Sequence, residues 1–215
     1  SPGLGATAGT EPAWRAQTPV GDLRRFFGTL LNFPSLRARI PAIVEALGHG
    51  DDALLRATVA DLRAITAPMT RHPLSSPALP LVMLIAASEN NARPDLTRAT
   101  VDDEARGALF TSAIPGFLVD APVPAYPRDR WFGGTPSAVP RTLVLHGTLD
   151  PNTPYAGAQA HAKTLAGAGP VQFSTVEGGA HLLSFVAPQC FVAAASAFVA
   201  GTDVPQRCSE PDPLP

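Results

Sequence analysis

The chain has 215 residues, of which 45% are hydrophobic and 16% are charged, and its formal net charge is −2. These values predict a globular chain with a hydrophobic core. They give no electrostatic basis for binding nucleic acid or an anionic membrane surface. The sequence contains no run of about 18 apolar residues, so we expect no membrane-spanning helix.

The first two thirds of the chain are predicted to be helical after a flexible arm. Residues 1–17 are rich in Gly, Ala, Thr and Pro, and residues 18–139 are interpreted as a helical lid or cap region. Leucine and phenylalanine recur at helical spacing after Thr18–Pro19, a pair that is typical of a helix start. A second helix is predicted from about residue 35 to residue 47, and Asp51 is predicted to cap a third.

The following segments are less regular. Residues 79–87 are almost all apolar, and their periodicity fits either a buried strand or a short helix. Asp102 or Asp103 is expected to cap a helix that runs through Phe110. Pro, Gly and aromatic residues dominate residues 115–140.

Residues 140–215 alternate between strand and helix and form the third predicted region. Apolar or alternating runs predict strands and helices in the order β-α-β-α, at about residues 141–145, 154–165, 171–176 and 188–199. This order indicates an α/β fold with a parallel sheet and right-handed crossovers. Two strands do not make a stable open sheet. We therefore expect the missing strands to come from another, N-terminal chain.

Two polar residues follow the two predicted strands, at the end of a parallel sheet where sites form. Asp150 stands after the first strand and His181 after the second. Taken singly, Asp150 fits an Asx-turn before Pro151, and His181 fits a surface loop. Their order and spacing favour the acid and base of a serine hydrolase, which an α/β-hydrolase delivers in the order Ser, Asp, His. His146, at the end of the first strand, is interpreted as a packed or hydrogen-bonded residue.

The nucleophile that such a pair requires is not recognisable. The sequence contains no Gly-x-Ser-x-Gly, so we expect the nucleophile to lie outside these residues. No cofactor is expected, because no His, Cys or carboxylate pair has metal-ligand spacing and no Gly-rich loop has the context of a phosphate site. Cys190 and Cys208 flank the last predicted helix and the turn after it, and either form a disulfide or remain free thiols. A disulfide would imply an oxidising compartment.

The last third of the chain resembles the C-terminal region of α/β-hydrolases of the tripeptidyl-aminopeptidase-like group, relatives of proline iminopeptidases. The resemblance rests on residues 142–155, which include Leu-Asp-Pro-Asn-Thr-Pro, on the Gly-Gly-Ala-His of residues 178–181, and on the cysteine pair. It implies that Asp150 and His181 are the acid and base of a Ser-Asp-His triad. It also implies that Cys190 and Cys208 form the disulfide of exported members, and hence a secreted or periplasmic location.

The resemblance also directs attention to the lid. Members of the group often carry Cys-x-Glu-Asp within or beside it, and the nearest text here is Ala87-Ser88-Glu89-Asn90, which keeps only the Glu. Lid carboxylates of relatives can bind a substrate's free α-amine, so Glu89 is the candidate for that role. The alternative is a solvated loop glutamate.

These features predict the C-terminal subunit of a processed serine hydrolase that cleaves peptide or amide bonds, as an aminopeptidase or acylase does. The N-terminal chain of the same precursor would carry the Ser and the oxyanion hole. One alternative is a carboxylesterase of the same fold. Another is a non-catalytic binding or scaffold remnant.

Overall fold

A computed structural model describes residues 22–70, 78–90, 93, 95–112, 114–119 and 124–211. Seven helices precede the sheet region in the described residues: α1 Leu23–Leu30, α2 Pro34–Arg37, α3 Ile40–Gly48, α4 Ala53–Thr70, α5 Leu79–Ile85, α6 Arg98–Gly107 and α7 Ile114–Val119. The sheet region contains β1 Thr142–Gly147, α8 Tyr155–Ala166, β2 Val171–Val176, α9 Leu183–Val186, α10 Pro188–Ala200 and β3 Arg207–Cys208. Among the described helices, none has the length and apolar character needed to cross a bilayer.

The first helices follow the predicted pattern with one break. The Asp22 side chain caps α1 by accepting a hydrogen bond from Arg25 N at 2.7 Å. The pair Thr18–Pro19, where we expected this helix to begin, lies outside the described residues. The single helix expected from residue 35 to residue 47 is wrong, because α2 and α3 are separate. Pro41 lies in the first turn of α3, and its ring would clash with the carbonyl four residues earlier in a continuous helix.

The next two helical segments decide between strand and helix for residues 79–87 and correct the predicted cap of α6. The apolar stretch at residues 79–87 is helical, and α5 continues into the π-helical turn Ala86–Asn90. The expectation that Asp102 or Asp103 caps the next helix is wrong. That helix, α6, is capped by Thr97, whose hydroxyl accepts a hydrogen bond from Thr100 N at 3.2 Å.

The sheet is small and parallel. β1 pairs with β2 over six residues, from Thr142 opposite Val171 to Gly147 opposite Val176. β3 is only two residues long and extends the sheet beyond β2, in the order β1-β2-β3. This third strand was not predicted, because a two-residue strand carries no periodicity. In the described part of the chain, the other edge of β1 has no strand partner.

One hydrophobic core joins the helices to the sheet. The buried faces of α1 to α4 belong to the same cluster as residues of β2, α9 and α10; its members include Phe26, Leu30, Leu36, Ile43, Leu55, Val59, Leu62, Val176, Leu183, Val186 and Cys190. Asp51 caps α4 by accepting a hydrogen bond from Ala53 N at 2.9 Å, which confirms the predicted start of that helix. Ala180 and Leu183, on either side of His181, belong to this core as well. The first helices therefore lie directly against the loop that carries His181.

The loops after β1 and β2 pack backbone against backbone. A Cβ atom added to Gly147 would lie 2.2 Å from the carbonyl oxygen of Gly179, so only glycine fits there. Leu149 N donates to the same oxygen at 2.9 Å, and Gly178 N donates to Thr148 Oγ1 at 2.9 Å. These contacts fix the two strand-end loops relative to each other.

Candidate active site

Asp150 is held by the turn that follows β1. Its Oδ1 accepts hydrogen bonds from Asn152 N at 2.8 Å and Thr153 N at 2.9 Å. Its Oδ2 accepts a hydrogen bond from Thr153 Oγ1 at 2.7 Å. The Asx-turn and the acid-residue interpretations are thus compatible, since the same carboxylate closes the turn and also meets His181. The turn fixes the carboxylate with local bonds that do not depend on the helices before the sheet.

His181 reaches Asp150 from the second loop. Its Nδ1 lies 2.9 Å from Asp150 Oδ2 and 3.2 Å from Oδ1. Gly178, two residues before the buried Ala180, has a φ of 74°, a left-handed conformation that favours glycine. The carboxylate accepts from Nδ1–H, and this tautomer leaves the Nε2 lone pair free to take a proton. Within the described residues, Nε2 has no hydrogen-bond partner, and the His181 side chain is 39% exposed.

The electrostatics of the pair favour an ionised Asp150. Its side chain is only 6% exposed. Burial acts to raise the pKa of Asp150, but the hydrogen bonds from Thr153, His181 and Asn152 outweigh it and lower the pKa to about 2. Asp150 is therefore a carboxylate at neutral pH. A negative charge beside Nδ1–H orients the imidazole and stabilises the imidazolium that forms when Nε2 takes a proton.

His146 also belongs to this cluster, as a hydrogen-bonded strand-end residue. Its Nδ1 lies 3.0 Å from the Gly147 carbonyl oxygen, and its Nε2 lies 3.2 Å from Thr153 Oγ1. Its ring and that of Tyr155 meet in an edge-to-face arrangement, with the ring centroids 6.0 Å apart. Sequence reasoning gave Thr153 no individual role. The spacing Asp-x-x-Thr, in which a side chain three residues on can turn back to the carboxylate, was the available signal.

A polar contact between two asparagines joins the first helices to the site. Asn152 Nδ2 donates to Asn32 Oδ1 at 2.9 Å, and Asn32 Nδ2 donates to Thr29 O at 3.2 Å. This contact links the loop between α1 and α2 to the turn that holds Asp150. Nothing in the sequence pattern indicated it, because it joins residues 120 positions apart.

Glu89 lies in a different set of contacts. It is exposed in the π-helical turn after α5, and the Tyr126 hydroxyl donates to its carboxylate. The neighbouring Ser88 is buried; its hydroxyl accepts from Tyr126 N at 3.1 Å, and its carbonyl accepts from Arg128 Nε at 3.2 Å. In the described part of the chain no hydrogen bond or ion pair joins Glu89 to Asp150 or His181. Its role toward a substrate amine stays a prediction.

The disulfide alternative is the one that forms. Cys190 and Cys208 are bonded, with their Cα atoms 5.7 Å apart, and they join the start of α10 to β3. The residues that the structure describes contain no group of three or more His, Cys, Asp or Glu side chains placed to hold a metal ion.

A comparison with protein families gives a match that includes both members of the pair. Residues 119–210 match the family described as TAP-like protein, a branch of the α/β-hydrolases. The match covers fewer than half of the 215 residues, and this segment is similar to TAP-like α/β-hydrolases. The matched segment contains the whole three-stranded parallel sheet of the described residues, its helices, Asp150 and His181, and the structure is a partial α/β fold. No curated protein and no solved structure matches the chain significantly.

Proposed function

We propose that this chain supplies the acid, Asp150, and the base, His181, of a Ser-Asp-His triad in a hydrolase that cleaves peptide or amide bonds. The observation that carries the proposal is the contact of 2.9 Å between His181 Nδ1 and Asp150 Oδ2. It occurs at the carboxyl ends of two parallel strands, inside the segment that is similar to TAP-like α/β-hydrolases. The reaction would be acyl transfer to water through an acyl-enzyme.

The nucleophile would come from polypeptide outside these 215 residues, proposed to be the N-terminal chain of the same precursor. None of the serines stands in Gly-x-Ser-x-Gly, and the half-exposed side chain of His181, whose Nε2 has no hydrogen-bond partner in the described residues, leaves room for an incoming hydroxyl. The same polypeptide would supply the oxyanion donors, since a serine hydrolase needs N–H groups aimed at the developing charge.

One edge of β1 has no strand partner in the described residues. This open edge supports the proposal that another polypeptide completes the sheet. Parallel sheets are normally covered on both faces and continue on both sides of a central strand. β1 carries three consecutive apolar residues, Leu143, Val144 and Leu145, yet none is fully buried. A further parallel strand beside β1 would satisfy its free backbone groups and bury these side chains. The disulfide supports a secreted or periplasmic location, because such bonds persist in oxidising compartments.

Two alternative functions have to be distinguished from this one by experiment. A carboxylesterase would use the same pair on an ester, and a non-catalytic remnant would keep the fold without turnover. Binding of a free α-amine by Glu89 would favour the aminopeptidase form, since an ammonium group makes charge-assisted hydrogen bonds with a carboxylate.

The decisive experiment treats natively purified material with a fluorophosphonate probe and measures intact masses before and after denaturation. We expect a second polypeptide to co-purify and to carry the probe on a serine. Replacement of His181 by Ala should abolish labelling while the complex stays assembled. The exposed His161 of α8, replaced by Ala, is the matched control and should label normally.

A single unlabelled species of 22.3 kDa would instead support the remnant. With labelling established, an amino-acyl amide compared with a short-chain ester separates the peptidase from the esterase. Blocking the α-amine of the amide substrate, and replacing Glu89 with Gln, then tests the aminopeptidase form.

A further inference from the structure

The first helices contact both loops of the candidate site. Ala180 and Leu183 flank His181 and pack in the core that α1 to α4 form with the sheet region. Asn152 Nδ2 lies 2.9 Å from Asn32 Oδ1, in the loop between α1 and α2. An apolar contact therefore joins these helices to the loop of the candidate base, and a polar contact joins them to the turn of the candidate acid.

The direction of the polar contact follows from a third partner. Thr29 O is a carbonyl oxygen, which only accepts hydrogen bonds. Asn32 donates to it through Nδ2 at 3.2 Å and through its backbone N at 3.2 Å. The other end of the Asn32 amide is its oxygen, so Asn152 must supply the donor. The last turn of α1 therefore fixes an acceptor that faces Asn152 Nδ2.

Asn152 contributes to the turn of Asp150 in two ways. Its backbone N donates to Asp150 Oδ1 at 2.8 Å, and its side chain reaches Asn32. The close backbone contacts with the second strand-end loop involve Gly147 and Leu149, which precede Asp150. Asn32 anchors the part of the turn that follows Asp150. The carboxylate is thus held from both sides along the chain.

We propose that Asn32 is a positioning residue of the active site, which holds the turn of Asp150 against the first helices through the Asn152 side chain. The kinetic part of this inference rests on the proposed function. Loss of the contact lets the turn move, so that Asp150 Oδ2 departs from its contact of 2.9 Å with His181 Nδ1. Small displacements of a catalytic group are costly in rate. The helices α1 to α4 are then a fixed part of the site, and a lid that opens would have to leave them in place.

A double-mutant cycle in the natively purified protein is the kinetic test. Asn152→Ala removes the donor and keeps the backbone N–H that Asp150 uses, and Asn32→Ala removes the acceptor. We expect each to lower kcat about fivefold with little change in KM, the equivalent of one neutral hydrogen bond. The double variant should fall no further than either single one, because both remove the same bond. Gln172→Ala, which removes an exposed side-chain amide from β2, is the control and should match the parent.

Reversal of the donor makes the cycle more specific. Asn152→Asp replaces the Nδ2 donor with an acceptor, so that two oxygens face each other across the contact. We expect this variant to lose more kcat than Asn152→Ala while Asn32 is present. In the Asn32→Ala background the two should differ less, since the facing acceptor is gone and only the added charge remains. An equal difference in both backgrounds would contradict the proposal, because it would show that Asn152 does not donate to Asn32.

A spectroscopic test needs no turnover. Proton NMR follows the Nδ1–H of His181, whose exchange with water is slowed by its hydrogen bond to Asp150. We expect this exchange to be about fivefold faster in Asn32→Ala, because the loosened turn opens the bond more often. Exchange that is unchanged from the parent would overturn the positioning role. If the parent neither turns over nor takes the fluorophosphonate, while this signal responds to Asn32→Ala, the proposed function fails and the positioning role stands.

Parallel urea unfolding separates positioning from simple stabilisation. Coupling between Asn32 and Asn152 that is found in the free energy of unfolding and not in kcat would show a contact that only stabilises the fold. Losses of kcat that add in the double variant would show that the two side chains act independently. Either result contradicts the proposal.

Discussion

At the residue scale, the site depends on one carboxylate that performs two tasks. Asp150 closes its own turn through Asn152 N and Thr153 N, and it orients His181 through Nδ1. The turn holds the carboxylate in a fixed position, and the carboxylate in turn orients the imidazole of His181. Substitutions at Asp150 therefore affect both stability and chemistry, and the two effects need separate measurements.

The chemical effect is tested by Asp150→Asn. The amide oxygen can still accept from the turn N–H groups, but an amide NH₂ facing His181 favours the wrong imidazole tautomer. We expect kcat to fall by about 10⁴-fold, as when the orienting carboxylate of a triad is lost. Steady-state kinetics on the amide substrate measure this, with circular dichroism as the check on folding. A variant that keeps a tenth or more of the activity would contradict the proposal that Asp150 is the acid of a triad.

The effect on stability follows from the same carboxyl group. The folded-state pKa of about 2 lies below the ordinary value of 3.8. A depressed pKa stabilises the fold above the ordinary value, and this stabilisation is lost as the pH falls from about 4 to about 2. The difference corresponds to about 2 kcal/mol in the free energy of unfolding.

Urea unfolding at pH 6 and near pH 2.5 checks this expectation. The advantage of the parent over Asp150→Asn should shrink by most of that amount at the lower pH. Asp203→Asn, at an exposed aspartate after α10, serves as the control. An advantage that is constant with pH would show that the carboxylate is not stabilised as described.

At the element scale, the strand-end loops depend on close backbone approach. Replacement of Gly147 by Ala would bring a Cβ to 2.2 Å from the Gly179 oxygen, so the backbone must move. We expect a loss of about 3 kcal/mol in the free energy of unfolding, the upper end of overpacking costs, together with a loss of turnover. Gly157 of α8 has open space around it, and Gly157→Ala should be neutral or stabilise by up to about 1 kcal/mol. Equal stability of both variants would contradict the packing.

The disulfide is the second element-scale constraint. It closes a loop with a sequence separation of 18 that contains most of α10, and it secures β3 against β2. Replacing both cysteines by Ala should lower the free energy of unfolding by about 3 kcal/mol. Thermal unfolding with and without a reductant checks the origin of the effect: the reductant should destabilise the parent and leave the double variant unchanged.

The elements that could be predicted are those with local signals. β1, β2, α8 and α10 have continuous apolar or periodic runs, and the positions of Asp150 and His181 follow from the ends of those strands. The break before Pro41 was missed because helical periodicity continues across it, although the proline forbids a continuous helix. β3 and the contact between Asn32 and Asn152 depend on residues distant in sequence, so no local sequence pattern predicts them.

At the scale of the whole molecule, the described residues leave an apolar stripe of α10 exposed. α10 packs against β1, and of its 13 residues only Gln189 and Ser196 are polar. A helix that is apolar all round is typical of a buried position. Yet Val192 and Val199, one stripe on its outer face, are 59% and 81% exposed. We propose that the same polypeptide that is proposed to complete the sheet also covers this stripe.

This inference leads to a prediction about assembly. Replacing Val192 and Val199 together by Glu should leave the chain folded, because both side chains are already exposed. It should weaken association with the proposed nucleophile-bearing polypeptide by at least about tenfold, since two charges would enter an apolar contact. Fluorophosphonate labelling should fall in parallel and recover at high concentrations of the partner. Val44→Glu, at an exposed valine of α3, is the matched control. Unchanged association of the double variant would leave the β1 edge alone as the site of completion.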